Sequence, residues 1–187
     1  MTAPYERYLQ ETLISEDALQ ARIRELGEQI TRDYADSHNL LLICILKGGV
    51  LFLADLMRHI DVPHAIDFMA ISSYGDGVRE SSGHVRIDMD LNQDVAGKDL
   101  LIVEDIIDSG NTMQYILSLL RTRKPASVRI CTLLNKPDRR KVDITLDYVG
   151  FDIPDKFVFG YGLDLDEIFR NLPFIGVCRP DMDTSQS

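Results

Sequence analysis

The chain has no tryptophan and only three cysteines among its 187 residues. An odd number of thiols at scattered positions, Cys44, Cys131 and Cys178, does not read as a disulfide framework. Each lies in an apolar, strand-like stretch, so reduced core thiols in a cytoplasmic protein are the expectation. Basic residues are also scarce. The 20 Lys and Arg face 30 Asp and Glu, for a formal charge of -10. That balance argues against general binding of nucleic acid or of anionic membranes, which demand a basic face. It leaves room for a small anionic substrate, because a local pocket can be positive on an acidic protein. Long apolar runs are missing as well. Stretches such as Leu40–Leu46 are too short to span a bilayer, and residues 1–10 are mixed and polar, without the apolar core of a signal peptide. No repeat, low-complexity tract or linker divides the chain, so one domain over residues 1–187 is expected.

What is present alternates between two periodicities. Ser15, Glu16 and Asp17 look like a helix start with acids in the first turn. Leu19, Ile23, Leu26, Ile30 and Tyr34 then fall on one helical face. Leu40–Leu46 is wholly apolar, as a strand buried on both faces would be. Helices are expected over 50–60 and from Met113 to about Arg123. Strands are expected over 65–72, Val85–Met89, 99–103 and 127–133, with an edge strand at 148–151. Residues 73–83 are polar, carry Gly75, Gly77 and Gly83, and suggest a long loop or hairpin. This order favours an α/β fold with a central, mainly parallel sheet flanked by helices. Binding loops in such a sheet gather at the carboxyl ends of the strands. Lys47-Gly48-Gly49, Ser73-Tyr74, Glu104 to Thr112 and Asn135-Lys136 would share that edge.

The most specific signal lies within residues 100–112. Leu100 to Val103 is a buried-strand run, Glu104 and Asp105 interrupt it, Ile106 and Ile107 resume it, and Asp108-Ser109-Gly110-Asn111-Thr112 follows as a turn. Asp-Ser-Gly is turn chemistry, and its hydroxyls could cap the helix behind it. A glycine-containing loop that opens a helix presents backbone N–H groups and a positive dipole end, which suits a phosphate. Two carboxylates beside it suit Mg²⁺ or sugar hydroxyls. Adjacent strand residues point to opposite faces, so both acids would reach one ligand only if the strand ends there.

The segment resembles the phosphoribosyl-diphosphate (PRPP) motif of the type I phosphoribosyltransferases. Over roughly residues 40–177 the chain is similar to the bacterial hypoxanthine (hypoxanthine-guanine) branch. The resemblance implies the type I fold, with a core of about 36–150 and a small hood built from about 1–14 and 151–180. It also implies transfer of the 5-phosphoribosyl group from PRPP to a 6-oxopurine, giving IMP or GMP and pyrophosphate, with Mg²⁺ as cofactor, two ions in the active complex. By the same resemblance Asp108, Ser109, Gly110, Asn111 and Thr112 hold the 5′-phosphate. Glu104 and Asp105 hold the ribose hydroxyls, directly or through the metal, and Asp108 also exchanges the purine N7 proton. Lys47, Gly48 and Arg170 bind pyrophosphate, with a non-proline cis peptide after Leu46. Lys136 reads the 6-oxo group, Phe157 stacks on the purine, and the Val158 backbone reads its edge. Asp164 stands at the base pocket as ligand to a second Mg²⁺. Ser73 and Tyr74 begin a lid, and a homodimer or homotetramer is expected.

The phosphate loop departs from many relatives at Asn111, where they carry lysine. Rival readings are a phosphoribosyltransferase for xanthine or another base, and an RNA-binding regulator on the same fold. The net acidity argues against the regulator.

Overall fold

The computed structural model describes residues 3–73 and 85–182. Helix α1 (Glu16–Asp33) is entered through Ser15, whose hydroxyl accepts from the Ala18 N–H. Leu19, Ile23, Leu26 and Ile30 are fully buried along the face expected from their spacing. Strand β1 (Leu9–Ile14) precedes α1, and β2 (Leu40–Leu46) follows it. Helix α2 (Val50–Leu56) is shorter than expected and tightens into a 3₁₀ turn over Met57–His59. There the chain crosses α1 so closely that a Cβ on Gly27 would lie 2.4 Å from the His59 Cβ. Phe52, Leu53 and Leu56 of this segment are buried within the chain, and Val50 is exposed.

The strands β3 (His64–Ser73), β4 (Val85–Met89), β5 (Asp99–Ile107), β6 (Ser127–Asn135) and β7 (Tyr148–Asp152) join β2 in one sheet of order β4-β3-β2-β5-β6-β7. All its pairings are parallel except β3 with β4. Helix α3 (Asn111–Thr122) connects β5 to β6. Alternate residues of the central strands feed two cores. Leu40, Leu42, Cys44, Leu101 and Val103 pack with α1 and α2, whereas Leu41, Ile43, Ile45, Leu100 and Ile102 pack with α3. Each such side chain contributes about 1.5–3 kcal/mol by leaving water. Burial on both faces explains why these strands are unbroken aliphatic runs. No disulfide links the three cysteines, which are buried, Cys44 in β2, Cys131 in β6 and Cys178 near the end of the described chain. Burial, reinforced by the Glu104 and Asp105 carboxyls, pushes the Cys44 thiol up to about 12.

A smaller antiparallel sheet of order β1-β9-β8 brings the two ends of the described chain together, with β8 at Val158–Phe159 and β9 at Ile175–Cys178. Phe159, Leu165, Leu172 and Cys178 form its core, covered by Tyr5, Tyr8, Phe157, Phe169 and Phe174. Among the described residues no helix is long and apolar enough to cross a membrane.

Candidate active site

Because β2, β3, β5 and β6 run parallel, their carboxyl ends share one edge of the sheet. The segments after β2, β5 and β6 meet there, and the 160–170 segment between β8 and β9 folds against them. At the end of β3, Ser73 closes the strand. Tyr74 and most of the glycine-bearing loop, and with them the lid, lie outside the described residues.

The 108–112 turn opens α3. Gly110 is the N-cap in a left-handed conformation (φ 84), and no side chain caps the helix. This differs from the hydroxyl capping expected. The hydroxyl of Thr112 lies inside the first turn, and that of Ser109 accepts only a long 3.4 Å bond from the Asn111 N–H. Glycine is required twice over at position 110, since a Cβ would also meet Val142 at 2.8 Å and the Arg140 guanidinium at 3.1 Å. The turn forms one wall of a cleft of about 150 Å³, lined by Glu104, Asp108, Ser109, Gly110 and Thr112 among others. The amino end of α3 borders this cleft, the arrangement that suits an anion.

Strand β5 does not end at the acid pair. It runs on to Ile107, and Glu104, Ile106 and Ile107 keep their pairing with β6. The two acids therefore diverge. Glu104 lines the cleft. Asp105 turns toward the loop after β2, and a Cβ on Gly48 would sit 1.6 Å from its Oδ2. Asp105 also accepts from the Ile106 N–H at 2.8 Å. The two carboxyls nevertheless reach each other through a hydrogen bond. Burial is the main force raising both pKa values, and the charge of Asp105 raises that of Glu104 further. The Glu104–Asp105 bond and the Ile106 N–H pull Asp105 back toward its ionised form, whereas the same bond pushes Glu104 further toward its protonated one. Glu104 Oε2 is buried without a hydrogen-bond partner.

The Leu46–Lys47 peptide is cis. Gly48 fits beneath Asp105, and a Cβ on Gly162 would lie 2.1 Å from the Gly48 carbonyl oxygen. Gly162 is itself left-handed, as are the non-glycine residues Tyr161, Asp166, Glu167 and Phe169. Such backbone costs energy and persists where the surroundings hold it. Here Arg170 donates to the Gly162 carbonyl at 2.8 Å and lies 2.9 Å from Asp164 Oδ1. Lys47 Nζ crosses to Glu167 at 2.7 Å. Lys47, Gly48, Asp164 and Arg170 are thereby brought into one cluster, and the charge of Arg170 is felt at Asp105.

Lys136 follows β6 and is only 7% exposed. Its ammonium reaches Asp155 at 3.4 Å. Arg139 bridges the same Asp155 (3.3 Å) and Asp108 (2.8 Å). Although burial opposes it, Arg139 and Lys136 hold the Asp155 carboxyl below its ordinary range. Arg139 and Asp155 join the base-side lysine to the cleft acid, and neither was foreseen. The basic pair Arg139-Arg140 just after Lys136 was the available signal. Val158 is buried in β8, and Phe157 is half-buried against the aromatic core of the smaller sheet.

The chain belongs to the phosphoribosyltransferase family: the phosphoribosyl transferase domain matches residues 10–167. It is 51% identical over 172 residues to the hypoxanthine-guanine phosphoribosyltransferase of Bacillus subtilis (strain 168), covering 92% of this chain and 94% of that one. The structure superposes on a hypoxanthine phosphoribosyltransferase from Staphylococcus aureus with a TM-score of 0.93 at 46% identity, covering 98% and 99% of the two chains. It is also 50% identical over 174 residues to the bifunctional protein TilS/HprT of Listeria monocytogenes serotype 4b (strain F2365). That match takes in 93% of this chain but spans only 26% of the length of the Listeria protein.

Proposed function

We propose that this protein transfers the 5-phosphoribosyl group of PRPP to a 6-oxopurine, hypoxanthine and also guanine, releasing IMP or GMP and pyrophosphate. The observation that carries this reading is one sheet edge holding three features together. They are a cleft at a helix amino end, an adjacent acid pair with Glu104 facing that cleft, and a loop cluster that brings Lys47 and Arg170 together. The family and the relatives support the reaction, and the geometry supports the roles that follow.

In this reading the 5′-phosphate sits on the backbone N–H groups of 109–112, helped by the Ser109 and Thr112 hydroxyls and by α3. Asn111 contributes only its backbone N–H there. A ring nitrogen of the purine attacks C1 of the ribose as the bond from C1 to the pyrophosphate oxygen breaks. The purine then carries one proton too many, and the Asp108 carboxylate accepts it at N7. Arg139 holds that carboxylate in place. Lys136 donates to the 6-oxo group. A 6-amino group offers no acceptor at that point, so adenine is rejected. Phe157 covers the ring and Val158 reads its edge.

The acid set fits Mg²⁺. No group of three or more His, Cys, Asp or Glu among the described residues forms a cage. Mg²⁺ does not need one, since it takes one or two carboxylates and completes its shell with water and phosphate oxygens. Glu104 is such a carboxylate, lining the cleft with an unpartnered oxygen, while Asp105 faces the loop after β2. Asp164 beside Arg170 is the second place. The metal, when bound, supplies positive charge to the ribose hydroxyls and to the leaving pyrophosphate. Buried cysteines without a disulfide among them fit a cytoplasmic setting, and the working assembly is a homodimer or homotetramer.

The test is incubation with PRPP and Mg²⁺ against hypoxanthine, guanine, xanthine, adenine and uracil in parallel. Nucleotide formation with oxopurines, and none with adenine, is expected. Turnover of adenine or uracil alone would overturn the assignment of the base pocket.

A further inference from the structure

Lys47 and Arg170, the two cations assigned above to pyrophosphate, already share one carboxylate. Lys47 Nζ donates to Glu167 Oε2 at 2.7 Å, and Arg170 Nη2 lies 3.5 Å from that same oxygen. The two segments are 120 residues apart in sequence, so this contact is a product of the fold.

The backbone aims the Glu167 carboxylate. Glu167 has φ 67 and Asp166 has φ 51, both in the left-handed region that residues with a side chain rarely adopt. Two local contacts hold the turn: the Glu167 N–H donates to Asp164 Oδ2 at 2.9 Å, and Leu165 bridges Ile168. An unfavourable backbone held in this way, with its side chain resting on two cations from separate segments, marks a functional position more often than a loop accident. Geometrically, an anionic oxygen seated between a lysine and an arginine occupies the place that a diphosphate oxygen would take.

We propose that Glu167 is an internal stand-in for the pyrophosphate group. Its carboxylate occupies the Lys47–Arg170 seat in the free protein, leaves it when PRPP binds, and returns to it as pyrophosphate departs. Glu167 thus limits the affinity for the diphosphate and speeds its release. The inference rests on the reading of Lys47 and Arg170 as pyrophosphate ligands. Both partners of the Lys47–Glu167 pair are well exposed, at 69% and 66%. An exposed pair is weak, so its displacement costs about a three- to fivefold loss of affinity.

The test is calorimetric titration of pyrophosphate with Mg²⁺ into the whole protein, in a double-mutant cycle of Glu167→Gln and Lys47→Ala. Glu167→Gln alone is expected to tighten pyrophosphate about three- to fivefold and to lower the KM for PRPP in parallel. In the Lys47→Ala background the gain should fall below about twofold, because the contact being removed is already gone. An equal gain in both backgrounds would show a general charge effect and overturn the stand-in role. Weaker pyrophosphate binding in Glu167→Gln would overturn it too, by making Glu167 a ligand in its own right. Lys47→Ala alone separates the two levels of the argument. Weakened pyrophosphate binding there, with no change in Glu167→Gln, refutes only the stand-in. Unchanged binding in Lys47→Ala removes the site reading and the inference with it.

Discussion

Replacing Glu104 by glutamine should make the ligand-free protein more stable at neutral and alkaline pH while damaging its function. Asp105 is buried and Glu104 beside it half-buried, the two are hydrogen-bonded to each other, and desolvation plus the Asp105 charge raise the Glu104 pKa well above the ordinary carboxylate value. A folded-state pKa above the unfolded value means that the folded protein holds the proton more tightly. Stability from that proton is complete below the unfolded value, about 4.3. It is lost as pH rises through the raised folded value. Glutamine carries a permanent N–H donor toward Asp105 and no charge, so it mimics the protonated form at every pH. Each tenfold increase in proton affinity is worth about 1.4 kcal/mol. For a chain of this size 1 kcal/mol corresponds to about 2–4 °C in Tm. Glu104→Gln should therefore raise Tm at pH 8, by about 2–4 °C for each kcal/mol of that lost proton affinity, with the gap closing toward pH 4. Adding PRPP with Mg²⁺ should reverse the order, since the wild-type pair then gains a counter-charge that the variant binds poorly. Differential scanning calorimetry from pH 4 to 8, with and without ligand, reads all of this. A Tm that falls in Glu104→Gln, or a gap that does not widen with pH, would refute the shared proton.

Asp108→Asn should lower kcat by about 10²- to 10⁴-fold with little change in KM, because it removes the proton acceptor and leaves the phosphate loop in place. An unchanged kcat would remove Asp108 from catalysis. Lys136→Ala should weaken oxopurine binding by about 10- to 100-fold, the worth of a hydrogen bond from a charged donor, and leave PRPP affinity alone. Equal loss of both ligands in direct titrations would contradict its role at the base. Gly162→Ala places a Cβ 2.1 Å from the Gly48 carbonyl oxygen in a residue at φ 96. It should push the 160–170 segment off the loop after β2 and cut PRPP affinity at least about tenfold, with unchanged far-ultraviolet circular dichroism.

The central architecture could be read from the residues because each physical signal there is local. The four buried apolar positions of α1, with Tyr34 at its end, repeat at helical spacing, and β2 is apolar throughout because helices cover both faces of the sheet. The acid pair and the 108–112 turn stood out for the same reason, as an order of residue types that few other sites require. Strand β1 was not legible. Its burial is partial, and what holds it is pairing with β9 at the other end of the chain. The continuation of β5 through Glu104 and Asp105 was hidden as well, since two acids in a row read as the end of a buried strand. The Arg139–Asp155 bridge and the Lys47–Glu167 pair are long-range contacts between charged residues that look solvated when taken one at a time. The left-handed run in 161–169 involves Asp, Glu, Tyr and Phe, which carry no conformational signature comparable to that of glycine.

The most direct test of the account is to count both products of a single reaction: nucleotide and pyrophosphate formed from PRPP and hypoxanthine in the presence of Mg²⁺. The account predicts IMP and pyrophosphate in equal amounts, with negligible pyrophosphate when the purine is omitted. Pyrophosphate released without nucleotide, or no release with any oxopurine despite tight PRPP binding, would contradict it.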